Sequence, residues 1–307
     1  MPENASIRNF TWADVPAWTA LINELSGATG SEEELDTDFK HLFLAQPNLN
    51  AETNCFLAEV GDDVAAGMAR ISHEPAISRV VAEVAVLPGH RRRGVGRQLL
   101  DRAIERVGEL KASVLHIQVP VLSRGGRFLL EDSGFNAARR YWRLAAAVDG
   151  VGANPLPSGY SIRPFELDRD EQTLTDLQNV AFTGSWGFAP NTVEEISARV
   201  RVRPWESDGI LLLQSGQEVC GYNWTQRPKQ SDASTGYIGM TGVHPDYRGK
   251  GLGRAIVSAG MAHLESKGAK TVKLEVDQSN KPARELYLSL GFDLLEEHVW
   301  YELNLAH

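Results

Sequence analysis

The sequence predicts a mixed α/β (α+β) fold built from two tandem copies of one domain. Three observations predict it: the chain matches itself at a fixed offset, strand-like and helix-like segments alternate in each copy, and each copy has a glycine- and arginine-rich loop between a strand and a helix. Val86-Leu87-Pro88-Gly89-His90-Arg91-Arg92-Arg93-Gly94-Val95-Gly96-Arg97 matches Val243-His244-Pro245-Asp246-Tyr247-Arg248-Gly249-Lys250-Gly251-Leu252-Gly253-Arg254 at an offset of 157. Gly134-Phe135 returns as Gly291-Phe292 at the same offset, and Ser6-Ile7-Arg8-Asn9-Phe10 as Ser161-Ile162-Arg163-Pro164-Phe165 at 155. Solenoid and propeller units repeat every ~20–50 residues, so a period this long is a duplicated domain. The length of 307 residues agrees, because one domain takes roughly 150.

Each element follows from pattern. In the first half, residues 80–86 read as a strand, 96–107 as a helix stopped by Gly108, 113–119 as a strand, 127–132 as a short helix before Gly134, and 141–148 as a closing strand. The segment 149–159 holds three glycines with Pro155 and Pro157 and reads as a linker, giving domains 1–148 and 160–307. In the second half, 210–214 and 218–224 read as strands across a Ser-Gly turn, with Trp224 in the core, followed by a strand at 237–243. Ile256, Val257, Met261 and Leu264 fall at helical spacing within 252–267, and Gly268 supplies the stop. Alternating β-branched residues mark 271–276 as a strand, 282–290 as a short helix, and 292–295 and 299–303 as two strands that finish the sheet of that half.

Composition narrows function. Hydrophobic residues make up 42% and charged residues 23%, an ordinary globular balance, and 31 basic against 40 acidic residues leave a net charge of −9. A chain this acidic lacks the broad positive field that holds nucleic acid or an anionic membrane, so any anion site is local. No run approaches the ~18 apolar residues of a membrane span, and Met1-Pro2-Glu3-Asn4 lacks the features of a signal peptide, so a cytoplasmic protein is expected. Cys55 and Cys220 are too few for a disulfide framework and have no zinc-ligand spacing, so both are expected to be buried, reduced and structural.

The local anion site is the repeated loop. In Arg248-Gly249-Lys250-Gly251-Leu252-Gly253-Arg254 the glycines let the backbone approach a ligand and adopt conformations closed to other residues, while several N–H groups and the positive end of the following helix converge. Arg248, Lys250 and Arg254 add charge. The loop suits a pyrophosphate, yet it is neither a Walker loop nor the dinucleotide fingerprint, because its glycines stand at every second position.

The spacing Arg-x-x-Gly-x-Gly, as Arg248, Gly251 and Gly253 and again as Arg91, Gly94 and Gly96, resembles the acetyl-CoA signature of the GNAT N-acetyltransferases. The downstream stretch Asn280-Lys281-Pro282-Ala283-Arg284-Glu285-Leu286-Tyr287-Leu288-Ser289-Leu290-Gly291-Phe292 resembles the same family's Asn-x-x-Ala-x-x-x-Tyr-x-x-x-Gly-Phe. The tandem layout resembles that of the mycothiol synthase-like members. The resemblance implies two GNAT domains, each a mixed, splayed sheet flanked by helices, and acetyl-CoA as the acyl donor. It implies that Met240, Thr241, Val243 and residues Arg248, Gly249, Lys250, Gly251, Leu252, Gly253 and Arg254 hold acetyl-CoA, that Asn280 faces the pantetheine arm, and that Tyr287 is the general acid for the departing thiolate. The equivalent second binding set is Val86, Arg91, Arg92, Arg93, Gly94, Val95, Gly96 and Arg97. A solvated basic face is the other reading of that cluster.

The duplication is an internal control. At offset 157, Tyr287 falls on Leu130, Asn280 on Ser123 and Glu275 on Gln118, so the first half lacks the acid and reads as a catalytically degenerate copy. An amine of pKa near ~10 must lose a proton before it attacks, which calls for a base. Glu275 is a candidate, on a strand whose alternate residues can face a cleft, or it is a surface charge. At the position where mycothiol synthase-like enzymes would place a glutamate, this chain has Tyr237. Trp186 and Phe188, on a glycine-rich segment, are expected either to wall the substrate pocket or to plug a domain interface. The expected activity is direct acetyl transfer to the primary amine of a small molecule or peptide, with an acyl-CoA-sensing protein without turnover as the alternative. The sequence leaves the oligomeric state open, and an internal duplication can replace a homodimer interface with an intramolecular one.

Overall fold

The computed structural model describes residues 5–27, 43–46, 49–61, 64–150, 155–201, 209–227 and 234–305. They form two compact units, Met1–Arg139 with His298–His307, and Arg140–Glu297.

The first unit contains β1 (Ser6–Asn9), α1 (Val15–Gly27), α2 (Ala51–Asn54), β2 (Cys55–Val60), β3 (Val64–Glu74), β4 (Arg79–Val86), α3 (Val95–Glu109), β5 (Val114–Pro120) and α4 (Arg124–Asp132). Strands β1 to β4 pair antiparallel in sequence order, and β4 and β5 pair parallel across the α3 crossover. Period-2 alternation divides the sheet into two apolar faces. Phe56, Ala58, Ile71 and Val80 meet Val95, Leu99, Leu100 and Ala103 of α3. Cys55, Leu57 and Met68 meet Val15, Trp18 and Leu21 of α1.

The second unit contains the paired part of β6 (Asn136–Ala147), then β7 (Tyr160–Pro164), α5 (Glu171–Phe182), α6 (Val193–Arg201), β8 (Ile210–Ser215), β9 (Glu218–Gln226), β10 (Thr235–Val243), α7 (Leu252–Ser266), β11 (Thr271–Asp277) and α8 (Lys281–Leu288). Leu252 and Ile256 of α7 pack on Leu213 and Cys220, while Val257, Met261 and Leu264 pack on Ile238, Val272 and Leu274. Leu174, Leu177 and Ile196 of α5 and α6 cover the other face at Leu212, Tyr222 and Trp224. Cys55 and Cys220 are both buried free thiols.

The end of each half departs from the sequence reading. Residues 292–295 and 299–303 are not two strands but parts of one, β12 (Asp293–Asn304), and it pairs antiparallel with β5 of the first unit from His298↔Pro120 to Asn304↔Val114. Strand β6 pairs with β11 of the second unit, from Tyr141↔Asp277 to Ala147↔Thr271. Each unit thus takes its last strand from the other half of the sequence, and the compact units do not follow the expected division at 149–159, of which 151–154 lie outside the described residues. The physical reason is the repeat itself. Strands β5 and β11 are equivalent edges that each need an antiparallel partner, and a hydropathy pattern does not distinguish a strand's own edge from its duplicate's.

Candidate active site

The strand-to-helix loop of the second unit has the geometry of an anion cradle. Gly249 and Gly251 sit at φ of +78° and +77°, in the left-handed region that glycine enters without penalty. Gly251 is the N-cap of α7 and makes no side-chain cap, and the first turn holds no acidic residue, so its N–H groups and the positive helix end are left for a ligand. Part of the loop's charge braces the loop itself: Arg248 donates from Nε to Val243 O at 3.1 Å and from Nη2 to Ala181 O at 2.7 Å. Arg254 reaches Ser289 O at 3.3 Å, and the Lys250 ammonium lies 4.9 Å from the Tyr247 ring centroid.

Beside the cradle the sheet opens. Strands β10 and β11 are paired only from Thr235↔Thr271 to Ile238↔Leu274, and β10 changes register between Ile238 and Met240 on its other edge, where 240–243 pair with β9. Residues 240–243 and 275–277 therefore diverge, as a splayed parallel pair does. Tyr287 of α8 packs where they part, in a cluster with Ile238, Leu274, Val276 and Phe292, and the Phe292 ring meets it edge-on at 5.8 Å. Burial pushes the Tyr287 phenol up to about 12, because a phenolate there would lose its hydration. A second phenol, Tyr222 of β9, lies close enough that its ionisation is opposed first by burial and then by Tyr287. Its Oη is buried without a hydrogen-bond partner among the described residues. Sequence reasoning missed Tyr222; the available signal was a tyrosine alternating with Cys220 and Trp224 along the strand.

The remaining expected residues are distributed around this opening. Glu275 is exposed on β11, 3.7 Å from Arg143 of β6. Asn280 is the N-cap of α8, and its Oδ1 accepts from Ala283 N at 3.2 Å. Its carbonyl thus orders the helix that carries Tyr287, a role the sequence reading did not assign. Phe188 stacks on Phe182 at 5.6 Å, and Trp186 meets Tyr141 at 6.3 Å, so both aromatics are held within the second unit.

The first unit repeats the frame without the phenol. Strands β4 and β5 are likewise paired only from Arg79↔Val114 to Ala82↔Ile117. Arg91 Nε donates to Val86 O at 2.9 Å, Gly94 takes φ of +92°, and Arg92 stands at φ of +63° where the second unit has Gly249. Val95 and Gly96 begin α3, and Arg97 bonds Ser133 at 2.6 Å, at the positions equivalent to Arg254 and Leu290's neighbour Ser289 shifted by one. Leu130, at the Tyr287 position, is a buried core residue.

A glycine cradle at a helix N-terminus and a parallel strand pair that opens beside it define an acyl-CoA-dependent transferase fold, present twice, with a buried phenol at the opening of the second unit. The sequence profile of the Acetyltransferase (GNAT) family matches residues 16–135 and 172–292. The chain belongs to that family. A mycothiol acetyltransferase of Thermobispora bispora is 35% identical over 229 residues, covering 71% of this chain and 74% of the relative. A mycothiol acetyltransferase of Salinispora tropica is 30% identical over 296 residues, covering 93% of each. In fold, a GCN5-related N-acetyltransferase from Sphaerobacter thermophilus superposes with a TM-score of 0.76 at 22% identity over 99% of this chain and 96% of that one. A tandem GNAT protein from the clavulanic acid biosynthesis pathway does so with a TM-score of 0.77 at 18% identity over 98% of each. The protein is an acetyl-CoA-dependent N-acetyltransferase. Its residues fit that donor: the positive-φ cradle and open helix end match a pyrophosphate, and the orphaned Tyr222 hydroxyl and the Tyr287 phenol border the opening. Among the described residues, no helix is long and apolar enough to cross a membrane.

Proposed function

We propose that the second unit carries the chemistry, transferring acetyl to the primary amine of a small molecule of the type that the relatives' name, mycothiol acetyltransferase, points to. The observation that carries this reading is the contrast at one position: a buried phenol, Tyr287, stands at the opening of the second unit, and Leu130 stands at the equivalent place in the first. Acetyl-CoA supplies an activated acyl thioester. The N–H groups of 249–253 hold its pyrophosphate, Asn280 Nδ2 faces the pantetheine arm, and the N–H groups of 240–243 that point into the opening, flanked by Met240, Thr241 and Val243, donate to the acyl oxygen. Glu275 takes the proton that the acceptor amine must lose, and the Tyr287 hydroxyl donates toward the departing sulfur. A phenol near 12 would be a weak acid for a thiolate of ordinary pKa near ~8.5. The same burial raises a thiolate in that place, so donor and acceptor are matched by one cause. The first-unit loop, Arg91 to Arg97, is a second acetyl-CoA site without turnover. The two buried free thiols suit a reducing, cytoplasmic setting.

The experiment is Tyr287→Phe, which keeps the ring against Phe292. Turnover is expected to fall ten- to a hundredfold, with acetyl-CoA affinity by calorimetry little changed. Gly251→Asp is expected to abolish turnover; activity that survives it would move the chemistry to the first unit. Unchanged turnover in Tyr287→Phe would remove the phenol as the acid.

A further inference from the structure

The sheet face of the second unit that looks away from α7 carries a row of polar and aromatic side chains across three strands. Tyr237 of β10 is in register with Lys273 of β11, whose ammonium lies 6.0 Å from the ring centroid. Glu275, two residues on, stands directly opposite Arg143 of β6, with Nε 3.7 Å from Oε1, and Arg143 Nη1 also lies 3.5 Å from Glu296. Tyr141 shares the face with Arg143 by the strand alternation, and its ring meets that of Trp186 at 6.3 Å. Between them Trp142 points the other way, packed on the apolar cluster with the Arg284 guanidinium 4.7 Å from its ring. The row is open: the Arg143 and Glu275 side chains are 47% and 36% exposed.

The first unit offers the control. At offset 157, Lys273 corresponds to His116, Arg143 to Trp300 and Tyr141 to His298, and Trp300 is indeed opposite Gln118 as Arg143 is opposite Glu275. There the face is less open: His116 and His298 are 4% and 3% exposed, His116 bonds Glu302 at 2.9 Å, and Gln118 and Trp300 are half-buried. An ion pair left exposed in the unit with the phenol, and replaced by the half-buried Trp300 and Gln118 between two buried histidines in the unit without it, is the pattern expected of an acceptor wall.

We propose that Arg143 and Tyr141, on the strand contributed by the first half of the sequence, form the acceptor wall of the second unit's site, with Arg143 a positioning residue for Glu275. The proposal rests on the transferase reading above. Glu275 faces the acceptor's ammonium, Arg143 pairs with that carboxylate at 3.7 Å and donates to an oxygen near the nitrogen, and the Tyr141–Trp186 pair bounds the outer end. The acceptor class is a polar primary amine with a hydroxyl or carbonyl oxygen close to its nitrogen. The degenerate half would thus supply specificity, through a strand, without performing chemistry.

The test uses the full chain, with Arg143→Gln, Arg143→Lys and Tyr141→Leu, and cysteinyl-glucosamine-inositol as the probe. Rates are read by thiol release over both substrates, and binding of the probe to the CoA-saturated protein by calorimetry. The acceptor KM and Kd are expected to rise tenfold or more in Arg143→Gln and Tyr141→Leu, with Arg143→Lys recovering part of the loss and the KM for acetyl-CoA staying within twofold of the parent. Acceptor constants equal to the parent's would overturn the proposal, as would parallel loss of acetyl-CoA binding and thermal stability, which marks a purely structural strand, or failure of the parent itself to bind the probe. Binding by the parent without turnover would instead strike the transferase reading and leave the variant comparison decisive.

Discussion

Tyr287 and Leu130 occupy the same place in the two copies, and burial is common to both, so what separates them is a phenol in place of an aliphatic side chain that has no proton to give. The phenol's raised pKa, about 12 against an ordinary 10, keeps it protonated well past neutrality. Under the proposed role, kcat/KM should climb with pH as the acceptor ammonium deprotonates and show no alkaline decline below about pH 10. A decline near pH 9 in a pH–rate profile would point to another acid. A second residue-scale effect concerns stability. Asp14 is held down to about 2, chiefly by its hydrogen bond from Arg8 and further by the Thr11 N–H, against the opposing effect of burial. A depressed carboxylate contributes stability that is fully present above its unfolded pKa and lost as pH falls through the folded one. Asp14→Asn should therefore cost on the order of 1 kcal/mol at pH 7, discounted because Arg8 is partly exposed, and the cost should shrink toward pH 2. Urea melts at the two pH values measure it; a constant difference would refute the linkage. Tyr287 and the loop glycines stood out in the sequence because they fall at fixed motif spacing. Tyr222 and Arg143 were not, since their meaning depends on which strand stands alongside.

At the scale of elements, the cradle is where backbone conformation limits the sequence most tightly. A Cβ at Gly249 or Gly251 would meet nothing within 4 Å, so a substitution there costs conformation and not a clash. Gly251→Ala is expected to lose about 1–2 kcal/mol of stability from the left-handed φ, and to weaken acetyl-CoA binding by turning the first N–H groups of α7 out of line. Thermal melts and calorimetry read both effects; full retention of affinity would show that the ligand does not use this loop. Arg92 in the first unit already bears a positive φ, so the same turn forms there at a conformational cost. Helices α7 and α3 were legible to within a few residues because an apolar stripe and a stop signal bounded each. The strand β12 was read as two pieces because the charged run Glu296-Glu297-His298 interrupts its hydropathy; in the structure Glu297 bonds the Trp142 indole at 3.0 Å, within one continuous strand.

At the scale of the whole molecule, the repeat told how many units to expect but not which strand completes each, and the side chains decide it. The equivalent positions Trp142 and Val299 are not interchangeable: Val299 is buried opposite Val119 in the first core, and Trp142 lies opposite Val276 under Arg284 in the second. If β6 took the place of β12 on β5, a tryptophan would have to fit where a valine does, an overpacking that costs roughly 1–3 kcal/mol. The hydroxyl of Tyr301, bonded by Arg127 at 3.2 Å, would also be replaced by the side chain of Leu144. Losing Val299 and Tyr301 altogether removes about 1.5–3 kcal/mol each from the core, against a domain stability of only about 5–15. Residues 1–148 and 149–307 made separately should therefore lack cooperative thermal melts, and mixing them should restore one. A chain of residues 1–139 joined by a flexible linker to 293–305 should melt cooperatively alone, because it holds both the β5 edge and the strand shaped for it. If instead 1–148 by itself melts as sharply, and within a few degrees of the full chain, its own last strand suffices, and the exchange does not specify the fold.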